Sequence, residues 1–193
     1  MAKENTEARG RMVLGAADMI RRRGLAATSI RELAKHAGAP LGSTYHYFPG
    51  GKRQLATEAV RVTGDTVTEA LRRELEAGPV EGLHTFLEHW KSVLISTDFQ
   101  AGCPLLAVAV ESGGDDDMQD ARTVAAEVFT TWRTLLARSL RAHGVKRTDA
   151  DRLAALIVTA TEGAIALCRA QRSTEPLEVV AHTLDDLVRS AIS

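Results

Sequence analysis

The sequence predicts an all-α protein of about nine helices, and three observations carry the prediction. Ala, Leu and Val dominate the apolar residues and there are only five prolines, a composition that favours helices over β-structure. Apolar residues recur at helical spacing, and capping residues, Gly and Pro separate the periodic stretches. No segment alternates as a strand would, and none repeats. At 193 residues, the chain can bury a core in one or two small domains.

The first half of the chain contains clear start and stop signals for helices. Gly24 stops the first helix, and Ser29 with Glu32 forms a capping box at the start of the second. Pro40 can open a third helix because its missing N–H is not needed there, and this helix stops before Pro49. The predicted helices are 6–23, 29–37, 40–47 and 52–76.

The second half reads in the same way. Residues 98–104 form a loop, and Gly-Gly at 113–114 breaks the chain again. The acidic triplet at 115–117 favours the positive end of the next helix. Residues 148–151 resemble an N-terminal cap, as does Thr174. The predicted helices are 80–97, 105–112, 115–143, 149–171 and 175–191.

Composition excludes several classes of protein. Two cysteines, Cys103 and Cys168, make neither a disulfide framework nor a metal cluster, so we expect a reducing compartment and no metal or cofactor. No uninterrupted apolar run approaches 18 residues, and the N-terminus has no hydrophobic signal region. The sequence therefore predicts a cytoplasmic protein that does not engage a membrane.

The net charge of −1 conceals an asymmetry along the chain. Residues 1–53 carry ten basic and four acidic residues, a net charge of +6, whereas the other 140 residues carry about −7. A basic head on an acidic body suggests that only the head meets a polyanion. Charge alone leaves a merely solvated basic face equally open.

Two short helices at 29–37 and 40–47, joined by a turn at Gly38-Ala39, have the arrangement of a helix-turn-helix. The second helix of such a motif can enter the major groove of DNA. Its Gly42, Ser43 and Thr44 are expected to be exposed. Both tyrosines of the chain, Tyr45 and Tyr47, also lie in this helix.

The stretch GLAATSIRELAKHAGAPLGSTYHYFPGGKRQL, residues 24–55, resembles the DNA-binding head of the TetR family of transcriptional repressors. The resemblance covers about residues 6–65. The FPGGK ending and the segment FQAGCPLLAVAVES at 99–112 are similar to the subgroup of lincomycin-resistance-type repressors. The resemblance implies an all-helical homodimer with a DNA-binding domain at 1–50, a helix-turn-helix at about 29–48, and a ligand-binding and dimerisation domain at 51–193.

The resemblance also assigns residues to the DNA interface. Thr28 or Ser29 and Lys52 lie at helix starts, where phosphate can bind, and the two tyrosines are expected to donate hydroxyls to phosphates. Phe48 closes the core of the head, and Arg31 and Arg53 are further contacts or idle surface charges. The expected DNA-binding residues are Thr28, Ser29, Arg31, Leu41, Gly42, Ser43, Thr44, Tyr45, His46, Tyr47 and Lys52. Pro40 and Leu41 depart from the Ser and Lys common in the family, and Leu41 can only pack on a thymine methyl.

Large residues scattered through the body indicate a cavity for a largely apolar small-molecule effector, with ordinary core packing as the alternative for each. Cys103 is either a sensing thiol or a small buried hydrophobe. His84, His89, Glu111 and Glu162 are polar groups among apolar neighbours, which orient a ligand or satisfy the backbone. The candidate ligand-binding residues are Phe86, Trp90, Phe99, Cys103, Val108, Glu111, Phe129, Trp132, Leu136 and Glu162.

The last two helices are candidates for a four-helix dimer interface, with packing inside one chain as the alternative. One helix is rich in small residues and the other carries apolar residues at helical spacing. The candidate interface residues are Ala155, Thr159, Gly163, Ala166, Val180, Leu184 and Leu187.

These predictions combine into a dimeric, ligand-released repressor that binds a pseudo-palindromic operator. Two other hypotheses stay open at this point. One is a small helical enzyme that uses Cys103 with His84 or His89, although no third orienting residue, phosphate loop or paired cysteine site supports it. The other is an interaction module whose basic head binds a protein or a membrane.

Overall fold

The computed structural model describes residues 2–39, 41–111 and 116–192, without the side chains of 2–5, 41, 43, 116 and 117. These described ranges contain nine α-helices, a short 3-10 helix at Leu75–Ala77 and no strand, which confirms the predicted fold class. The helices are α1 (Ala2–Arg23), α2 (Ile30–His36), α3 (Leu41–Tyr47), α4 (Gly51–Glu74), α5 (Pro79–Ser96), α6 (Pro104–Val110), α7 (Asp116–Ala142), α8 (Arg147–Gln171) and α9 (Glu175–Ile192).

The chain divides into two compact units, each built from two stretches of sequence. The head unit comprises Met1–Asp65 and Cys103–Glu127, and the body unit comprises Thr66–Gly102 and Val128–Ser193. Helices α4 and α7 each contribute one part to the head unit and the other part to the body unit. The domain boundary predicted at residue 50 stays a prediction, because contiguous domains and these units are different divisions of the chain.

The head unit packs α1 against α2 and α6, and α2 against α3. Apolar residues of α1 at helical spacing, among them Met12, Ala16 and Ile20, are buried there as the sequence predicts. Phe48 follows α3 and is fully buried, which confirms its predicted place in the core. The α1–α2 pair therefore fixes the base on which the short helix α3 rests.

The body unit is built on α8 and α9, with α5 packed against both. By length and composition α8 could cross a membrane, since its most apolar 18-residue window has a mean hydropathy of 1.6. Half of that window is buried inside the protein. This is the position of a core helix, with residues such as Ile157 and Ile165 directed inward.

Several helix ends differ from the prediction, by one to four residues. Helix α1 begins at Ala2, and α6 ends at Val110 because Glu111 has an extended backbone. The cap predicted at 148–151 is wrong: Lys146 is the N-cap of α8, its carbonyl accepts from Ala150, and its side chain makes no capping bond. The helix start expected at Pro40 and the break expected at 113–114 lie outside the described residues.

Candidate nucleic-acid interface and effector cavity

The predicted capping box at the start of α2 is present. The Ser29 hydroxyl accepts from the Glu32 amide at 3.2 Å, while the Glu32 carboxylate accepts from the Ser29 amide at 2.9 Å. The Ser29 hydroxyl also donates to Glu32 at 2.8 Å. A capping box leaves the amides of the first two helical residues for other partners.

Positive charge gathers at this same end of α2. The hydrogen bonds from Ser29 hold the pKa of the Glu32 carboxyl below its usual value, and the charges of Arg23 and Lys52 lower that pKa further. Lys52 lies in the first turn of α4, so two helix starts and two cations act on one small region. The charge of Lys52 thus acts on Glu32, the partner of Ser29 in the capping box, whereas the sequence could only assign Ser29 and Lys52 separately.

Helix α3 has one exposed and one buried side. Gly42, Tyr45 and His46 are exposed and lie three and four positions apart, so they share one face. Tyr45 is 53% exposed. Thr44 and Phe48, also four apart, are on the side that packs into the head unit and are both fully buried. The exposed face is therefore the part of α3 that can meet a ligand as large as DNA.

Two predicted contact residues are corrected by this register. Thr44 is 0% exposed, so the expectation of an exposed side chain is wrong; it shares the core-facing side with Phe48. Thr28 is 3% exposed, and its hydroxyl donates to the Leu25 carbonyl at 2.8 Å, which makes it a buried brace of the turn. The side chains of Leu41 and Ser43 lie outside the description.

Two aromatic side chains at the C-terminal end of α3 and just after it, those of Tyr47 and Phe48, have contacts within the head unit. The Tyr47 ring is half-buried and meets the His46 ring edge to face, at 5.4 Å between centroids. The guanidinium of Arg9 lies 4.9 Å above the Phe48 ring and also pairs with Glu58 of α4. Arg9 thus links α1 to α4 and to the residue that follows α3, a role that no local pattern in the sequence signals.

Arg31 and Arg53 are both exposed. Arg53 donates to the Asp120 carboxylate of α7 at 2.7 Å, and this hydrogen bond lowers the pKa of Asp120. Both side chains of the pair are solvent-accessible, so salt and a competing phosphate can replace Asp120. Lys52 is half-exposed at the neighbouring position.

A small cavity lies within the body unit, between α4, α5, α7 and α8. Four of the predicted ligand-binding residues line it, Phe86, Trp132, Leu136 and Glu162. Sequence reasoning missed the other four, Leu71, Ile157, Val158 and Thr161. The spacing of 157, 158, 161 and 162 on one side of α8 was the available signal.

The cavity is nearly closed in this structure. Its space for the centres of water molecules is only about 10 Å³, which is roughly the room for one water. Small-molecule sites in proteins hold about 300–1,000 Å³. A larger ligand therefore requires the aromatic side chains here to move.

Polar groups at the cavity are few and specific. The Trp132 indole N–H donates to the Thr68 hydroxyl of α4 at 2.8 Å. The Thr161 hydroxyl is buried and has no hydrogen-bond partner among the described residues, and Glu162 beside it is 6% exposed. Such a wall is apolar with a small number of hydrogen-bonding groups.

The other predicted ligand-binding residues are not part of the cavity lining, although Trp90 and Phe129 contact residues that are. The Trp90 and Phe86 rings meet edge to face with centroids 6.4 Å apart, and the Phe129 ring meets Trp132 at 5.4 Å. Phe99 is in a left-handed turn after α5. Cys103, Val108 and Glu111 belong to the head unit and are not among the residues that line this cavity, so their role in ligand binding stays a prediction.

Helices α8 and α9 expose small and apolar residues. Thr159, Gly163, Ala166 and Leu187 of the predicted dimer interface are exposed, and Ala155 and Val180 are half-buried. Leu184 is 2% exposed and packs inside the body unit, so its assignment to a dimer interface is corrected. Exposed Leu156, Leu167 and Val179 extend the face instead.

Comparison with known proteins identifies the family of the head and of the C-terminal part of the chain. Residues 13–59 match the family model of bacterial regulatory proteins of the tetR family, and residues 79–183 match the C-terminal domain of LmrA/YxaF-like transcriptional regulators. An uncharacterized HTH-type transcriptional regulator of Mycobacterium tuberculosis is 44% identical over 93% of both chains. YxaF of Bacillus subtilis, another HTH-type transcriptional regulator, is 32% identical over 95% of this chain and 96% of its own.

The fold also matches a solved structure, a regulatory protein TetR from Rhodobacter sphaeroides. The TM-score is 0.84 and the identity 21%, over 93% of this chain and 97% of that one. These relatives are transcriptional regulators rather than enzymes. The chain belongs to the TetR family of helix-turn-helix transcriptional regulators, and its C-terminal domain is of the LmrA/YxaF-like type, which confirms the predicted subgroup.

Proposed function

We propose that the protein is a dimeric transcriptional repressor that binds a pseudo-palindromic operator and is released by a largely apolar small molecule. The observation that carries the proposal is the exposed face of α3, formed by Gly42, Tyr45 and His46, in a head unit where α3 packs on α2 and the charges of Arg23 and Lys52 act on the start of α2. This is the arrangement that a major-groove reader needs. We place the protein in the cytoplasm, where its DNA target lies.

The DNA contacts divide into positioning and readout. Ser29, Arg31 and Lys52 hold phosphates, and Tyr45 and Tyr47 donate their hydroxyls to phosphates. Gly42 and His46 approach base edges, together with Ser43 and Leu41. Since His46 is the exposed imidazole of this face, we expect it to carry much of the hydrogen-bonded base readout.

Effector binding acts through the body cavity. A ligand that enters must displace Trp132, whose indole is bonded to Thr68 on α4. Helix α4 is continuous from Thr68 back to Lys52, so a shift of Trp132 biases the position of the DNA-contacting end. The effector must bind the released conformer more tightly, because equal affinity for two conformers shifts nothing.

Dimerisation uses the exposed apolar face of α8 and α9. The Thr159 hydroxyl is already bonded to the Ala155 carbonyl at 2.9 Å, so the helix offers its methyl group to a partner. Exposed leucines at 156, 167 and 187 gain by burial against the same face of a second copy.

Fluorescence anisotropy tests the proposal with a palindromic fragment from beside the protein's own gene and a random duplex. We expect the wild type to prefer the fragment and Tyr45→Phe to weaken binding about tenfold per half-site, the value of one hydrogen bond to a charged group. Thr134→Val removes a hydroxyl from the body and is the matched control. Equal affinity for fragment and random duplex would reject a local operator.

A further inference from the structure

The turn between α1 and α2 sets where the helix-turn-helix begins. Gly24 ends α1 with φ of +80°, a left-handed conformation that favours glycine. The buried Thr28 braces the far side of the turn, and Ser29 then caps α2. Any group that fixes residues 24–29 therefore fixes the orientation in which α2 leaves α1.

Glu111, the residue that follows α6, reaches into this turn. One of its carboxylate oxygens accepts a hydrogen bond from the Ala26 amide at 3.0 Å. The other oxygen occupies the space that a side chain at position 24 would fill, because a Cβ built on Gly24 would overlap it. The glycine thus serves two purposes: it permits the positive φ and makes room for the carboxylate.

Arg122 of α7 holds Glu111 from the other side. Its guanidinium donates to the backbone carbonyls of Glu111 and, at 3.4 Å, of Val108. These two carbonyls lie at the C-terminal end of α6, and the last carbonyls of a helix have no partner within it. Helix α7 is therefore tied to the backbone at the end of α6, at the residue that presents the carboxylate.

We infer that Glu111 is a positioning residue of the DNA-binding head, through which α6 and α7 hold the α1–α2 turn. Its carboxylate pre-organises α2 and α3 for DNA, and its backbone ties the turn to Arg122. The same helix α7 continues to Trp132 and Leu136 at the body cavity. A ligand-induced shift of α7 can therefore reach the head through Glu111, in addition to a shift of α4. This coupling, but not the positioning role of Glu111, rests on the proposed effector response.

Glu111 differs from an ordinary surface carboxylate in a way that substitution can reveal. A glutamine keeps an oxygen that can accept from Ala26 and loses only the charge, whereas alanine loses both. Glu127 of α7, which pairs with the exposed Arg61 at 3.7 Å, supplies a control for the loss of one negative charge in the same unit. The three variants separate the hydrogen bond from charge.

The test is the amide hydrogen exchange of Ala26, resolved by NMR, together with the operator anisotropy titration. We expect Glu111→Ala to speed exchange about tenfold and to weaken operator binding several-fold, because one hydrogen bond and its pre-organisation are lost. Glu111→Gln and Glu127→Ala should remain within about twofold of the wild type, below the effect of losing one hydrogen bond. Arg122→Ala should speed Ala26 exchange in the same direction as Glu111→Ala.

Each contrary result is decisive. Unchanged Ala26 exchange in Glu111→Ala, unchanged or tighter operator binding by that variant, or equal defects in the Ala and Gln variants would overturn the inference. Unchanged exchange in Arg122→Ala would remove α7 from it. If the wild type fails to distinguish the operator fragment from random duplex, the proposed local operator fails while the exchange data still decide the role of Glu111.

Discussion

At the scale of single residues, Glu74 at the end of α4 shows how burial tunes a charge. One of its carboxylate oxygens is buried without a hydrogen-bond partner among the described residues. Burial raises the pKa of this carboxyl, and the charges of His89 and Arg73 offset only part of the rise. A negative charge at the C-terminal end of a helix is also unfavourable.

We expect Glu74→Gln to increase the free energy of unfolding at neutral pH. Because burial raises the pKa in the folded state, the ionised carboxyl destabilises the folded state at pH values above that pKa. Below the unfolded value of about 4.3, the carboxyl is protonated in both states and the destabilisation is lost. The gain should therefore shrink as the pH falls towards 4. Urea unfolding at several pH values measures it. A constant gain at all pH values would contradict the assignment.

At the scale of helices, the glycine at position 82 lets α5 pass close to the end of α4. A Cβ built on Gly82 would lie 2.6 Å from the Glu74 carbonyl oxygen and 2.8 Å from the Leu75 Cα. These are backbone atoms and cannot swing aside as the tip of a side chain can. The two helices must separate to accept even alanine.

Gly82→Ala should therefore lower the free energy of unfolding by about 1–3 kcal/mol, the usual cost of overpacking. Gly10→Ala is the matched control: it lies within α1 with open space around its Cβ, and should stabilise the protein by about 0.5–1 kcal/mol. Thermal and urea unfolding compare the two. Equal effects of both substitutions would contradict the close approach of α5.

The helices themselves were largely predictable because their signals are local. The capping box of Ser29 and Glu32 and the stop at Gly24 can be recognised within a few residues of sequence. The burial of Thr44 could not be predicted as easily. The burial of Thr44 depends on which side of the short α3 faces the core. The buried Phe48, four positions later, indicates that side, but Phe48 lies just beyond the end of the helix.

At the scale of the whole molecule, the exposed apolar face of α8 and α9 predicts the oligomeric state. Leu167→Glu should convert a dimer to a monomer while leaving the fold intact, because this leucine is 53% exposed in one chain. Leu184→Glu should instead unfold the body unit, since that side chain is buried. Light scattering measures the mass and circular dichroism the folding. A Leu167→Glu variant that stays dimeric would exclude this face.

Long-range relations were beyond sequence reasoning. The pattern of polar groups among apolar residues assigned Glu111 to a candidate effector site. In the structure its carboxylate accepts a hydrogen bond from the amide of Ala26, which is 85 positions away. The cavity was predicted from its aromatic residues, but its small volume depends on how four helices pack. Leu184 and Leu187 are both apolar residues of α9, and only packing distinguishes the buried one from the exposed one.

The salt dependence of operator binding tests the central claim, that the head with Lys52 at its phosphate contacts binds DNA. The logarithm of the binding constant should fall steeply and linearly with the logarithm of salt concentration. Lys52→Ala should weaken binding and reduce the slope by about one per half-site, or about two for the dimer. Lys146→Ala, in the body, should change neither. A Lys52→Ala slope equal to that of the wild type would contradict the account.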